Sequence, residues 1–206
     1  MKMTCIPSGT MGVNTYVVGD ESTGKAFIVD PGGFNKETVN WLNDNGFKLE
    51  YIILTHGHGD HIGGVKKYME MFPGVKLVAG EHEKELLASP MMNASREICG
   101  ESIMLTADIW VHEGDTLKVG DIELRFMHTP GHTPGGICIF TGDVLFSGDT
   151  LFCRSIGRTD FPGGSYEQIK KAIHNKLFVL PDDTKVYPGH MGPTTIGEEK
   201  RSNPFV

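Results

Sequence analysis

The sequence lacks the cysteine pattern of a small secreted protein. Only four of its 206 residues are cysteine, they lie far apart, and no two of them form a CxxC pair. A chain of this length can bury roughly 70% of the surface that its unfolded form exposes, so it needs no covalent staples. We therefore expect no disulfide framework, and free, mostly buried thiols as in a reducing compartment.

Long apolar runs and an excess of positive charge are also lacking. No stretch approaches the roughly 18 apolar residues that a membrane span requires. The first residues lack the apolar run and cleavage site of a signal peptide, so we expect a cytoplasmic location and no membrane partner. The 19 Lys and Arg against 26 Asp and Glu give a formal net charge of −7. This balance argues against a nucleic-acid partner, because phosphate contacts supply most of that affinity.

The chain does contain β-rich apolar runs that alternate with helical patterns. Residues 51–54 are apolar throughout, as in a strand buried on both faces. Further strands are expected at 16–18, 26–29, 76–79 and 185–187, and hairpins at 116–127 and 137–147. Strands mixed with helices and hairpins predict an α/β protein with two mixed sheets and helices on the outer faces. Since no linker or repeat is visible, we expect a single domain over residues 1–206.

Helices are expected between these strands. Asn35 looks like the cap of one that stops at Gly46, and Ser165 with Gln168 forms a capping box for one that runs to about residue 177. Others are expected at about 62–72, at 81–88 and in the polar tail at 198–202. Residues 89–107 are assigned helix on a weak pattern, and 150–164 are read as a long Gly-rich loop.

The densest group of potential ligands follows the apolar run at 51–54. It comprises His56, His58, Asp60 and His61, within the segment THGHGDH. Imidazole nitrogen and carboxylate oxygen are good ligands for zinc, manganese and iron. Residues two apart in extended chain point to the same side, while Asp60 and His61 are expected to project from the next helix. A single histidine near a strand end is usually an ordinary polar residue, but four such residues within six positions favour a metal site.

Three further candidates follow predicted strands later in the chain. His132 lies in the turn TPGHTPGG, Asp149 ends an apolar strand, and His190 follows Tyr-Pro-Gly. Each alone would by default be a surface histidine or a capping aspartate. Together with the first group they make five histidines and two aspartates, each just past a strand. We treat His82, His112, His128 and His174 as ordinary residues.

The motifs THGHGDH, PGHTPGG, FSGD and PGH, in this order, resemble the metallo-β-lactamase superfamily. The resemblance implies a four-layer αβ/βα sandwich that holds two divalent metal ions between its sheets, with zinc as the first choice and iron or manganese as alternatives. It also implies hydrolysis by a metal-bridging hydroxide, which Asp60 would orient. The resemblance implies that one ion would be held by His56, His58 and His132. The other would be held by Asp60, His61 and His190, and Asp149 would bridge the two.

Residues 151–165 and the last segment, PGHMGPTTIGEEKRSNPF, look like the compact glyoxalase II-like branch of that superfamily. This branch, also called hydroxyacylglutathione hydrolase-like, implies a thioesterase that acts on S-lactoylglutathione or a related hydroxyacyl thioester. Full-length glyoxalase II enzymes carry an extra C-terminal helical region that helps to hold glutathione. Since this chain stops about sixteen residues after His190, the identity of the thiol carrier stays open.

Two alternatives belong to other functional classes. The segment GRTDF also resembles persulfide dioxygenases, which would hold a single iron on His56, His132 and Asp149, although PGH and TTIGEEK resemble the hydrolase branch more. A non-catalytic, metal-stabilised binding domain is the other alternative. Structural zinc sites are usually closed, four-coordinate and rich in cysteine, so a seven-ligand set without cysteine favours chemistry. β-Lactamase activity is disfavoured because no export signal is visible.

Arg158 lies in the GRTDF segment and has two interpretations. It could form a buried charge pair with Asp160 that shapes the loop, or it could bind a carboxylate of the substrate. We favour the pair, because buried charges usually need partners.

Overall fold

The computed structural model describes all residues from 1 to 206 and contains two six-stranded sheets. In the first sheet the strands lie side by side in chain order: β1 (Lys2–Ser8), β2 (Val13–Asp20), β3 (Lys25–Val29), β4 (Lys48–Ile53), β5 (Lys76–Gly80) and β6 (Ile109–Val111). The first three strands form antiparallel pairs, whereas β3 to β6 are parallel. The carboxyl ends of β3 and β4 therefore lie at the same edge.

The second sheet is mainly antiparallel. Its members are β7 (Thr116–Val119), β8 (Ile122–His128), β9 (Ile137–Thr141), β10 (Val144–Gly148), β13 (Lys185–Pro188) and β14 (Thr194–Thr195). Strands β7 to β10 form the predicted hairpins, and β13 then pairs in parallel with β10. A small separate hairpin, β11 (Leu151–Phe152) and β12 (Ser155–Ile156), follows β10.

Seven short α-helices connect or cover the sheets. They are α1 (Lys36–Asp44), α2 (Gly59–Ile62), α3 (Val65–Met71), α4 (Lys84–Ala88), α5 (Ser95–Cys99), α6 (Tyr166–Ala172) and α7 (Ile196–Ser202). Asn35 caps α1 by accepting a hydrogen bond from the Glu37 amide, and Ser165 caps α6 by accepting one from the Gln168 amide. Both predicted helix starts are therefore confirmed. None of these helices has the length and apolar character that crossing a bilayer would require.

Successive residues of a central strand point to opposite faces of its sheet. One face packs against the other sheet and the opposite face packs against helices. Phe27 and Val29 of β3 face Phe126 and Phe146 of the second sheet, whereas Ile28 faces the helices on the outside. The outer face of the second sheet packs in the same way against α6, the segment 173–177 and α7. The order is helices, sheet, sheet, helices, so the predicted αβ/βα sandwich is confirmed.

Several predicted elements have different bounds. The helix expected at about 62–72 is interrupted between α2 and α3, because Gly63 and Gly64 pack against the backbone of Gly32 and Gly33. The helix expected at 81–88 begins with a 3₁₀ turn over 81–83. Helix in the stretch 89–107 is limited to α5, and the loop 150–164 contains the hairpin β11–β12.

The cysteine prediction is correct in one part and wrong in another. All four thiols are free, as expected, but only Cys138 is buried. Cys138 lies on a central strand whose outer face is covered by helices. Cys5 is exposed because β1 is an edge strand.

Candidate metal centre

The site lies where strands of both sheets end. Because β3 and β4 are parallel, Asp30 and His56 emerge at the same edge of the first sheet. Strands β8, β10 and β13 also run in one direction, so the loops that carry His132, Asp149 and His190 emerge at the facing edge of the second sheet. The two edges approach closely: a Cβ on Gly148, whose φ is 49°, would overlap the side chain of Thr55.

All seven predicted ligand residues lie in one cluster. Three groups each present ligand atoms within 4.8 Å of one another: His56, His58 and His132; His56, His61 and Asp149; and Asp60, His61 and His190. The first and third groups match the two ligand sets that the family resemblance implies. The second contains members of both sets together with Asp149.

Asp149 lies between the two ligand sets. One carboxylate oxygen, Oδ1, is 3.3 Å from Nε2 of His61. The other, Oδ2, is 3.6 Å from Nε2 of His132 and 3.7 Å from Nε2 of His190. Gly189 packs directly against Asp149 and His61, so that a Cβ on Gly189 would overlap both side chains. The position of Asp149 is the one that a bridging carboxylate would need.

Three ligand atoms of the cluster are buried and make no well-directed hydrogen bond: His56 Nε2, and His61 Nε2 and Asp149 Oδ1, which lie 3.3 Å apart. An unsatisfied buried polar atom costs about 1–3 kcal/mol, so native proteins rarely leave several together. A divalent cation would satisfy all three. The donor set, imidazole nitrogen and carboxylate oxygen without thiolate, fits zinc, iron or manganese. The residues therefore fit the metal that the family resemblance implies.

Hydrogen bonds behind the cluster fix the orientation of two imidazole rings. Nδ1 of His61 lies 2.9 Å from Oδ2 of Asp30, which is itself held by the amide and the hydroxyl of Thr55 at 2.7 and 2.6 Å. Nδ1 of His132 donates to the carbonyl of Arg158 at 2.7 Å. In each ring these bonds turn Nε2 toward the cluster, as orienting partners of metal ligands do; there Nε2 of His132 lies 2.9 Å from Nδ1 of His58. Asp30 directly follows the strand predicted at 26–29 and was not among the predicted site residues, so this orienting role was missed.

Glu83 joins the two loops that carry most of the histidines. It is fully buried, and its two carboxylate oxygens accept hydrogen bonds from the amides of Gly57 and Gly135, both at 2.8 Å. Burial raises the pKa of this carboxyl. No pattern in the sequence indicated this role, because Glu81, Glu83 and Glu85 look equivalent within the predicted helix.

The electrostatics of the cluster favour a bound cation. Burial and the neighbouring imidazoles lower the pKa of His56 and His58, that of His58 to about 3. Both rings are thus neutral at pH 7 and have a lone pair available for a metal. Burial acts to raise the pKa of Asp60, but His61 and His190 outweigh it and keep that carboxylate ionised. Around His61, burial is outweighed by Asp149, Asp30 and Asp60, which raise its pKa. These three carboxylates favour a positive charge at this position, which a metal ion would supply in place of the ring proton.

A cavity of about 390 Å³ opens onto the cluster. Its size is within the range of small-molecule sites. His58, Asp60 and Asp149 line it together with Phe152 and Phe161, so a polar cluster meets an apolar wall. A wider, more open hollow of about 750 Å³ lies on the far side of the His132 loop and contains none of the seven residues. We place the site in the smaller cavity for that reason.

Arg158 and Asp160 form the predicted pair, but the expectation that it is buried is wrong. The guanidinium binds the carboxylate with two hydrogen bonds, of 3.0 and 2.8 Å. The two side chains are 67% and 66% exposed, because the segment lies at the rim of the cavity and not beneath it. The guanidinium also stacks 4.4 Å above the ring of Phe161.

We predict that Asp30→Asn weakens metal binding by about 10- to 100-fold, the usual cost of losing an orienting partner of a ligand. The carboxylate of Asp30 now faces three groups, the amide and the hydroxyl of Thr55 and Nδ1 of His61. The NH₂ group of an amide side chain would face at least one of these donors and lose that hydrogen bond. Titration against a chromogenic chelator measures the affinity. Asp143→Asn, at a surface pair with Lys185, is the control. Equal affinity in both variants would contradict the orienting role.

We predict that Glu83→Gln lowers the free energy of unfolding by about 1–3 kcal/mol, because its NH₂ group would face one of two buried amide donors. Urea denaturation of the metal-free protein measures the change. Glu85→Gln, exposed and only two residues away in α4, is the matched control and is expected to change stability by less than about 0.5 kcal/mol. The same stability in both variants would show that Glu83 does not join the loops.

Comparison with known proteins agrees with this geometry. A sequence model of the metallo-beta-lactamase superfamily matches residues 8–190. Hydroxyacylglutathione hydrolase GloC of Haemophilus influenzae is 37% identical over 100% of this chain and 98% of its own. The crystal structure of BLEG-1 B3 metallo-beta-lactamase superposes with a TM-score of 0.91 at 37% identity, covering 99% of both chains.

A third similarity is to the crystal structure of ETHE1 from Myxococcus xanthus. Its TM-score is 0.84 at 30% identity, and the match covers 99% of this chain and 84% of that one. These matches agree with the two mixed sheets and with the cluster of histidines and aspartates at their edge. The chain belongs to the metallo-beta-lactamase superfamily.

Proposed function

We propose that the protein is a metal-dependent thioester hydrolase of the glyoxalase II type, acting on S-lactoylglutathione or a related hydroxyacyl thioester. The observation that carries the proposal is the seven-residue cluster, whose ligand atoms without a well-directed hydrogen bond lie beside a cavity of small-molecule size. The similarity to GloC supports the choice of substrate. We treat residues 1–206 as one domain, because the core between the sheets draws residues from both.

In this proposal two divalent ions, zinc or alternatively iron or manganese, are held by the cluster. His56, His58 and His132 would hold one ion, Asp60, His61 and His190 the other, and Asp149 would contact both. Ions in such positions lower the pKa of water and polarise the carbonyl that is attacked.

Asp60 is the proposed catalytic residue of the chain. Its Oδ2 is 3.1 Å from Nε2 of His190, and its carboxylate borders the cavity. It can therefore accept a hydrogen bond from the attacking water and orient the lone pair of that water toward the thioester carbon. Attack breaks the carbon–sulfur bond and releases a carboxylic acid and a thiol.

The cavity offers no competing nucleophile of the chain. No cysteine lines it, and Ser155, the one serine in its wall, has no hydrogen bond to a histidine that could activate it. A serine nucleophile would need such a base within hydrogen-bond reach. Attack by water is thus the reaction that this wall supports.

Arg158 is a proposed contact for a carboxylate of the substrate. It is the only Lys or Arg in the lining of the cavity. A carboxylate that approaches would have to share the guanidinium with Asp160. We therefore expect this contact to contribute little to affinity, as exposed ion pairs generally do.

Hydrolysis of S-lactoylglutathione is the direct test of the proposal. We expect thiol release by protein reconstituted with zinc, iron or manganese, at a catalytic efficiency above roughly 10⁴ M⁻¹s⁻¹ with the best metal. A β-lactam belongs in the same panel because of the similarity to BLEG-1. Absence of thiol release with all three metals would reject the proposal.

We predict that Asp60→Asn retains the fold and loses most of the thioesterase activity, because the neutral amide holds and orients the attacking water less firmly than the carboxylate does. A fall of about 10²-fold in kcat is the size expected when an attacking group is misplaced. Circular dichroism and the thiol assay measure the two properties. Asp143→Asn, far from the cluster, should retain both the fold and the activity. Unchanged turnover in Asp60→Asn would contradict the proposed role of Asp60.

Persulfide dioxygenase activity is the second candidate, and the position of the GRTDF segment favours it. Within this segment, Phe161 stacks against the ring of His58 with centroids 5.1 Å apart, and the Arg158 carbonyl orients His132. The ligands of a single iron, His56, His132 and Asp149, lie in the same cluster. Oxygen consumption with glutathione persulfide by the iron-loaded protein separates the candidates. Consumption without thioester hydrolysis would make the dioxygenase the leading function.

A further inference from the structure

Four apolar side chains line one part of the cavity: Met11, Met92, Ile98 and Met191, here called the methionine collar. They come from three separate segments, which are the β1–β2 turn, the stretch 92–98 and the loop after His190. They line the same cavity as Asp60, Asp149 and His190. A molecule bound at the cluster can therefore extend along the collar.

Hydrogen bonds between these segments hold the collar together. The hydroxyl of Thr10 donates to the carbonyl of Ile98 at 2.8 Å. The side-chain amide of Asn14 donates to the carbonyl of Met191, also at 2.8 Å. Met191 has a φ of 68°, a conformation that a residue with a side chain rarely adopts and that its surroundings must stabilise. The backbone that carries Ile98 and Met191 is thus held in place.

The collar exposes apolar surface that a ligand could cover. Met11 is 60% exposed and Met191 is 58% exposed. Transfer of such surface out of water is favourable, at roughly 25 cal/mol per Å². Methionine is also flexible and polarisable, so it adapts to chains of different shape.

The charges of the cavity disfavour a substrate with several anionic groups at this position. Arg158 is the one cation of the lining, and Asp160 already binds it through two hydrogen bonds. An uncharged apolar group matches the collar better than a carboxylate does.

From this arrangement we infer that the collar binds an apolar acyl chain, so that the substrates are thioesters with acyl groups of several carbons. The inference rests on the proposed thioesterase function. It specifies the acyl part of the substrate, while the thiol carrier is held elsewhere along the cavity.

A series of glutathione thioesters, from acetyl through butyryl to hexanoyl, tests the inference with the metal-loaded protein. The expected result is a rise in kcat/KM of up to about fourfold per methylene group, the factor that corresponds to about 0.8 kcal/mol. Met11→Gln and Met191→Gln should each reduce the hexanoyl-to-acetyl ratio at least fivefold. Met71→Gln, an exposed methionine of α3 outside the cavity, should leave that ratio unchanged.

The failure of the two proposals can be distinguished. Hydrolysis of S-lactoylglutathione with equal kcat/KM across the acyl series would overturn the role of the collar alone. An equal loss of the ratio in Met71→Gln would overturn it as well. If no thioester is hydrolysed with any metal, both the proposed function and the acyl site are rejected.

Discussion

The site depends on the face-to-face packing of the two sheets, because neither sheet carries a complete set of ligands. The rings of Tyr16 and Phe146 lie 5.2 Å apart across this core, and Phe27 meets Phe146 edge to face. Buried aromatic pairs of this kind fix the distance between layers, since each covers a large apolar area in a specific geometry. The edges that carry His56 and Asp149 are brought together as a consequence.

Several residues around the cluster orient its ligands or hold the loops that carry them. Asp30 holds the ring of His61, the backbone of Arg158 holds that of His132, and Glu83 joins two loops. Buried carboxylates are costly unless their oxygens are bonded, and both Asp30 and Glu83 are fully engaged. Such a frame keeps the ligand atoms close together although three of them make no well-directed hydrogen bond.

The cavity combines this polar cluster with an apolar wall. Few polar groups at the bottom and an apolar wall are the usual composition of a small-molecule site. Differences in substrate among proteins of this fold can thus arise in the loops that line the cavity while the cluster stays the same.

The sequence by itself determined the fold class, the layers and the seven residues of the cluster. The spacing within THGHGDH and the position of each ligand after an apolar strand are local features, and local features can be read from one chain. The helix caps at Asn35 and Ser165 were readable for the same reason.

Only the tertiary structure decided the rest. Asp30 and Glu83 acquire their roles from partners that are 25 to 52 residues away in sequence, and no local pattern distinguishes them from turn or surface carboxylates. The break at Gly63 and Gly64 follows from contact with another loop. The methionine collar is assembled from three segments distant in sequence. Interactions between distant segments depend on how the sheets pack, and packing is a property of the whole chain.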